Sequence, residues 1–473
     1  MKSGKLISAI ALLVALAMPV SLAAQEHPTK HHRYNITDLG TLGGPESYFG
    51  FVAQVLNSKG TFVGASDLNK LDPYFPNCAN PRACYAGHAA RWDNGTLTDL
   101  GALPKGASSS AAWINTNGVA IGSSQNGVID PLTGLPEGQA VRWDKAGHIH
   151  PLGTLGGNES FATAVNDNDW VVGAAANAIP DSHSLFGWGT QTRAFLWKST
   201  TGMKDLGTLP GGTDAFAGNV NQSGQIAGTS YTNSTGSTEP FLWENGTMTG
   251  LGTLGGTVGG ENYLNNKGQV VGQSNLANGT THAFFWDKST GMTDMGTLGG
   301  NYANALDLND AGEVVGVSAL ATYPLYHAFL WKAGAMTDLG TVKGDTCSEA
   351  WAINSQGQVV GESRPHCGIA VHAFLWENGG PMVDLNTLVP PYSQIQLIYA
   401  AAINDRGQIA CLGLYVLGVT ATDFEHVFLL TPVAEDDVEH PTVAPEPSVT
   451  PRLPTELVNR YHFAGAAAWR PID

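Results

Sequence analysis

From about residue 34 to 430 the chain is a succession of short apolar runs separated by Asn, Gly, Ser and Thr. The stretch 350–385 shows the pattern most clearly. Ala350-Trp-Ala-Ile-Asn354 predicts a strand that runs into the turn Asn354-Ser-Gln-Gly357, where Gly357 supplies the positive φ that closes a tight hairpin. Gln358-Val-Val-Gly-Glu-Ser363 is the return strand, and a variable loop leads to a third strand, His372-Ala-Phe-Leu-Trp376. After a turn at Glu377-Asn-Gly-Gly380 the stretch closes on Met382-Val-Asp-Leu385. Strands this short and this rich in Val, Ile, Phe and Trp do not make a core alone; they need neighbours on both faces.

The pattern recurs eight times. Seven copies of the third strand end at Trp92, Trp143, Trp197, Trp243, Trp286, Trp331 and Trp376, and an eighth, His426-Val-Phe-Leu-Leu430, has Leu instead. Successive Trp are 51, 54, 46, 43, 45 and 45 residues apart, the period of a propeller blade. The hairpin turns start at Asn57, Asn115, Asn166, Asn221, Asn265, Asn309, Asn354 and Asn404, and only the third, Asn166-Asp-Asn-Asp169, lacks the Gly. An apolar residue precedes each of these Asn (Leu56, Ile114, Val165, Val220, Leu264, Leu308, Ile353, Ile403), which marks a core position. Tyr34-Asn-Ile-Thr-Asp-Leu-Gly40 matches a fourth strand without its first three, and the last repeat has three strands without a fourth. The expected fold is therefore all-β: a closed eight-bladed β-propeller of four-stranded antiparallel blades, the last completed by the N-terminal strand. An open array would need capping repeats, and none is visible.

The repeated segments His-Ala-Phe-Leu-Trp, Met-Thr-Asp-Leu-Gly-Thr-Leu-Gly-Gly and Ile-Asn-x-x-Gly-Gln-Val-Val-Gly resemble the bacterial extracellular HAF repeat family, whose triplet stands at His327-Ala-Phe329 and His372-Ala-Phe374. Two repeats depart from it, His88-Ala-Ala-Arg-Trp92 and Gln139-Ala-Val-Arg-Trp143. The resemblance spans about 34–430 and implies a secreted or cell-surface β-repeat protein, with no catalytic residues to carry over. Trp-Asp at Trp92, Trp143 and Trp286 invites comparison with WD40 repeats, but no Gly-His partner signature recurs with the repeat.

Composition adds the compartment. Residues 1–24, with Lys2 and Lys5, an apolar run from Leu6 to Val20 and Ser21-Leu-Ala-Ala24, read as a secretory signal peptide. Residues 25–33 are a linker, 34–431 the propeller, and 432–473, where Pro432, Pro441, Pro445, Pro447, Pro451 and Pro454 stand among acids, an acidic Pro-rich flexible tail. Without Lys2 and Lys5 the balance is 21 basic against 40 acidic residues, which excludes nucleic acid as a partner, and no later segment suggests membrane insertion. In an exported chain the near pairs Cys78–Cys84 and Cys347–Cys367 are expected disulfides, with Cys411 a free buried thiol.

Chemical motifs are few, and most belong to the repeat. Gly-x-Ser at Gly64, Gly122, Gly228, Gly272, Gly316 and Gly361 is never completed as Gly-x-Ser-x-Gly, so it is a strand-exit feature rather than a nucleophile elbow. His88, His282, His327, His372 and His426 share one position, as do Asp38, Asp99, Asp205, Asp294, Asp338 and Asp384; both sets read as structural hydrogen-bonding groups. The Asn166–Asp169 turn lacks the downstream acid of a Ca²⁺ loop, and no metal or organic cofactor is expected. The loop acids Glu46, Glu159, Asp214, Glu261, Asp345 and Glu349 are not repeated, and sequence does not pair them. Variation is confined to the loops at one end: 65–87, 123–138, 174–192, 229–239 and 386–399. A ligand is expected there, near the mouth of the channel, with Tyr74, Phe75, Asp181, His183, Phe186 and Trp188 as its contacts. The expected function is that of a monomeric, non-catalytic binding or scaffold module for extracellular carbohydrate or protein. The alternative is an extracellular polysaccharide hydrolase or lyase, whose acid pair sequence does not identify.

Overall fold

The computed structural model describes residues 31–49, 54–78, 84–233, 236–368, 371–391, 394–415 and 425–433. The proposed signal peptide, most of the linker and nearly all of the acidic tail lie outside these. The described residues form β-strands, with one 3₁₀ turn at Leu385–Thr387. Among them no helix is long and apolar enough to cross a membrane.

Among the described residues eight four-stranded antiparallel units follow one another at 43–101, 109–153, 156–205, 215–250, 255–294, 299–338, 347–384 and 395–432, the fourth to sixth joined into one twelve-stranded sheet by the parallel bridges Thr238–Val258 and Thr281–Tyr302. They are numbered 1 to 8 in that order. Each runs strand to neighbouring strand, and unit 8 takes its fourth strand from the far end of the chain: Tyr34–Asp38 pairs antiparallel with Glu425–Pro432, Tyr34 opposite Pro432 and Asp38 opposite Phe428. The expected completion of the last repeat by the N-terminal strand is thus present.

Within a unit, the third-strand Phe195, Phe241, Phe284, Phe329, Phe374 and Phe428 are wholly buried, with Ala90 and Val141 in their place in units 1 and 2. Across from five of these rings lie Gly173, Gly228, Gly272, Gly316 and Gly361 of the second strand. The first strand bulges beside each of these glycines. In unit 4 the bulge falls between Ala217 and Asn219, and a Cβ on Gly228 would sit 2.1 Å from the Phe216 carbonyl oxygen and 2.7 Å from Phe241 Cζ. Glycine is required there because backbone and ring converge on it. The Ser two residues on is equally committed: Ser66, Ser124, Ser230, Ser274, Ser318 and Ser363 each accept, through Oγ, the N–H of the segment entering the same unit, at 2.8–3.1 Å. These hydroxyls are structural.

Successive units are joined through the turn Asn. Asn57, Asn115, Asn166, Asn221, Asn265, Asn309, Asn354 and Asn404 are 1–7% exposed. In each, Oδ1 accepts the N–H groups two and four residues ahead and so closes the turn, as Asn309 does for Ala311 and Glu313 at 3.0 Å. Nδ2 then donates to the carbonyl of the next unit's Asn: 57 to 115, 115 to 166, 166 to 221, 221 to 265, 265 to 309, 309 to 354, 354 to 404, and 404 back to 57, at 2.9–3.2 Å. In unit 3, Asp169 takes the Gly place at φ 61° and its carboxylate pairs with Arg142 at 2.6 Å. The first strands also meet across the middle. Trp113 of unit 2 stacks on Tyr263 of unit 5 with centroids 6.4 Å apart, a contact that skips units 3 and 4.

Three expectations need correction. The shared place of the seven repeat Trp leads one to expect all of them buried between neighbouring units; Trp92, Trp143 and Trp331 are, but Trp197, Trp243, Trp286 and Trp376 are only partly covered and flank their cores. The long loops are shorter than the sequence suggests, because the second and third strands run on as two-stranded ribbons: Phe62–Leu71 with Tyr85–Asp93, Ala120–Ile129 with Pro136–Trp143, and Val171–Pro180 with Thr190–Lys198. Polar residues do not stop such ribbons, since the ladder satisfies their backbone groups while both faces meet water. Of the segment expected as a loop over 386–399, residues 386–387 belong to the 3₁₀ turn and 395–399 to the strand Ile395–Ile403, while 388–391 are irregular as expected.

Replacing Asn309 by Ala removes two turn-closing acceptor contacts and the donor to Asn354. It should lower unfolding free energy by about 2–4 kcal/mol, whereas exposed Ala311→Ser in the same turn should stay within about 0.5 kcal/mol. Chemical denaturation of the two variants measures this; equal stabilities would show that the Asn is only a turn former.

Candidate functional site

The Asn turns occupy one end of every unit, so the loops joining second to third strands lie at the other. Their positions are set by hydrogen bonds to neighbouring units. The unit 3 loop, 181–189, is anchored by the wholly buried Asp214 at the entry to unit 4, whose Oδ1 accepts the N–H groups of Leu185 at 3.1 Å and Thr192 at 2.7 Å. Asp181 Oδ1 accepts the His183 N–H at 2.8 Å, and the Asp181 N–H closes the loop on Gly189 at 3.0 Å. Burial raises the Asp214 carboxyl above its ordinary range, and the charge of Asp181 adds to the shift.

This loop carries an aromatic group. Phe186 and Trp188 have centroids 5.2 Å apart; Phe161 of the unit 3 first strand meets both edge-on at 5.0 and 5.8 Å, and Phe216 of the unit 4 first strand meets Phe186 at 5.8 Å. Phe186 is 39% exposed. Of the residues expected to form a site, the structure joins Phe186 and Trp188 and holds Asp181 and His183 in the same loop. Tyr74 and Phe75 belong to the unit 1 loop, where Asp72 Oδ1 holds the Tyr74 N–H at 2.9 Å and Phe75 is 77% exposed. The disulfide Cys78–Cys84 clips that loop, and Cys347–Cys367 clips the open end of the unit 7 hairpin, each with Cα atoms 5.3 Å apart; Cys411 is free and buried. Such bridges belong to an oxidising environment.

Beside Trp188 lies a cavity of about 210 Å³ between the loops of units 2 and 3, lined also by Asp130, Leu132, Asn158, Glu159 and Thr190. Asn158 Nδ2 donates to Asp130 Oδ1 at 3.0 Å, and Glu159 Oε2 accepts the Gly138 N–H at 2.7 Å. Burial pushes the Glu159 carboxyl up to about 7, against the Gly138 bond that favours ionisation, and the charges of Asp130 and Glu137 push the same way. Sequence reading missed Asp130, Asn158, Phe161 and Phe216. A signal was available for the two Phe, which both stand five residues before a ladder Asn, as do Asn304 and Glu349.

The remaining loop acids have structural partners. Glu349 and Glu362 flank the Arg364 guanidinium, which also donates to Tyr326 Oη at 2.5 Å. Burial raises the Glu349 carboxyl. Glu261 Oε1 accepts from Asn219 Nδ2 at 2.6 Å, and burial holds its carboxyl near 7. His88, His282, His327 and His426 each pair through Nδ1 with the Asp of their own unit's fourth strand at 2.8–3.0 Å, and that Asp also takes the N–H of the Gly two residues on. In unit 7 the fourth strand stops at Asp384, which caps the 3₁₀ turn, so His372 pairs with Asp345 instead at 2.8 Å. Among the described residues no three His, Cys, Asp or Glu are arranged to hold a metal ion.

No family model and no curated protein matches the chain. Solved structures resemble parts of it. A puromycin hydrolase variant is 11% identical over 80% of this chain and 61% of its own, with a TM-score of 0.41. TolB from Acinetobacter baumannii is 13% identical over 62% and 76%, at 0.31, and a PL25 ulvan lyase is 13% identical over 63% and 78%, at 0.30. Similarity at this level carries no activity across.

The raised carboxyls give stability a direction with pH. Glu159 and Glu261 near 7, Asp307 near 6 and the raised Glu349 all hold protons in the folded chain at pH values where the unfolded chain has lost them. The unfolded state then binds fewer protons, and stability falls as pH rises from about 5 to 8. His372, raised by its Asp345 bond despite burial, acts in the same sense, while the lowered Asp38, Asp99 and Asp338 titrate below this window. Melting temperature should therefore be higher at pH 5.5 than at 8.5, and Glu261→Gln should narrow the gap; a flat or rising profile contradicts this assignment.

Proposed function

We propose that the eight units are the blades of one closed β-propeller of the HAF repeat type, exported through its N-terminal signal segment, and that it is a non-catalytic binding module for extracellular carbohydrate. Closure is supported by the eight-membered Asn circuit and by the Tyr34–Asp38 strand in unit 8. The reading of function rests on one observation: the half-exposed group Phe186 and Trp188, backed by Phe161 and Phe216, stands next to a cavity edged with carboxylate and amide groups. Aromatic faces stack on the apolar faces of sugar rings, and carboxylate and amide oxygens take their hydroxyl protons. Those are the two chemistries a saccharide needs. Asp181 and His183 frame the same loop, and Tyr74 and Phe75 offer a second contact on the same end of the molecule.

A glycan array run beside an activity screen on the same polysaccharides tests this reading. Binding without turnover is expected, and Trp188→Ala or Phe186→Ala should weaken it at least tenfold at unchanged melting temperature. Turnover of a polysaccharide, or binding that survives both substitutions, would overturn it. Closure has its own test. Deleting residues 33–44 should lower the melting temperature far more than deleting 440–473, and equal melting of the two truncations speaks for an open array.

A further inference from the structure

The cavity beside Trp188 has an electrostatic character that a neutral sugar does not use. Asp130 is wholly buried; its Oδ1 accepts from the Leu132 N–H at 2.8 Å and from Asn158, but its Oδ2 is buried without a hydrogen-bond partner. Glu159 lines the same cavity at 8% exposure, and Glu137, also at 8%, adds its field while accepting from Asn126 Nδ2 at 2.7 Å. No Lys, Arg or His among the described residues pairs with any of the three. Some acids elsewhere in the chain have such partners, as Asp169 has in Arg142 and Glu362 in Arg364, whereas the hydrogen bonds of Asp214 and Glu261 come from neutral donors. A buried carboxylate left without a counter-charge is costly, and a ligand that brings one recovers that cost on binding. Ionised carboxylates only accept hydrogen bonds, so a ligand that holds both acids in their charged form must donate. The Trp188 ring on the cavity wall favours a cation over its face.

We propose that this cavity binds a protonated primary amine, the ammonium group of an amino sugar within a polysaccharide. The inference rests on the carbohydrate reading above and narrows it to deacetylated amino sugars. The ammonium enters between Asp130 and Glu159, the sugar ring lies against Trp188, and neighbouring rings of the chain lie along Phe186. An acetamido group in the same place fails, because it carries no charge and puts a methyl group against carboxylates.

Calorimetric titration of the full chain with a glucosamine hexamer and with an N-acetylglucosamine hexamer tests it. The free amine should bind at least tenfold more tightly. Because the protein carries a net charge of −17, a cationic oligomer is also attracted to it at large. Asp130→Asn removes one of 40 carboxylates and barely alters that overall field, so a tenfold loss of glucosamine binding in this variant localises the interaction to the cavity. Glu159→Gln keeps an acceptor for the Gly138 N–H and should show a similar loss if Asp130→Asn fails to fold. Equal affinity for the two hexamers overturns the amine but leaves the carbohydrate reading standing. Glucosamine binding unchanged in the folded variants reduces it to charge attraction and also overturns the inference. Binding of a Lys-containing peptide with neither hexamer bound overturns both readings.

Discussion

A single buried side-chain amide, repeated eight times, holds the units in register. Asn is suited to this place because it has an acceptor and a donor on one short, rigid arm. Its oxygen closes its own turn and its nitrogen reaches the next turn's carbonyl. Asp would lose the donor and set a charge against that carbonyl; Gln would not reach its own turn amides. Because each bond joins one unit to the next, and the last joins Asn404 to Asn57, displacing any turn disturbs both neighbours. Buried polar groups that are fully satisfied in this way specify a unique arrangement more sharply than apolar contact does.

The circuit divides the molecule into two ends with different freedoms. At the turn end, residue choice is held by the Asn bonds and by the bulge that demands Gly opposite Phe. At the other end, each unit need only return its third strand, so ribbons of different length are tolerated. Acids with raised carboxyls are not confined to that end: Glu159 and Asp214 stand near the loops, while Asp307 lies two residues before the turn Asn309. A loop anchored by hydrogen bonds to Asp214 holds aromatic rings in place without making them part of the hydrophobic core.

Similar residues serve different ends according to what stands opposite. His372 has the same motif as His327, yet its partner is Asp345, because unit 7 turns into a 3₁₀ segment at Asp384. The Trp series shows the same effect: the indole of Trp331 is buried by Phe285 of the unit before it, with centroids 5.1 Å apart, while Trp376 is only partly covered.

By itself the sequence determined the number of repeats, the four-strand pattern, both disulfide pairs and the fate of the N-terminal strand. These are local or periodic properties, and internal comparison of eight copies exposes them. It also pointed to a structural role for the repeated Ser, His and Asp, since chemistry specific to one site is not expected at five or six equivalent places. Only the tertiary structure decided which loop residues meet. Phe161 and Phe216 lie on first strands of different units, and Asp130 comes from a third; the place of the two Phe five residues before a turn Asn marks them as equivalent but does not say that they and Asp130 gather about Phe186 and Trp188. It also decided that Asn, read from sequence as a turn former, is the link between units. That second role uses a donor whose partner lies 44 to 58 residues further on in seven cases and 347 residues back in the eighth, a relation that local pattern does not express.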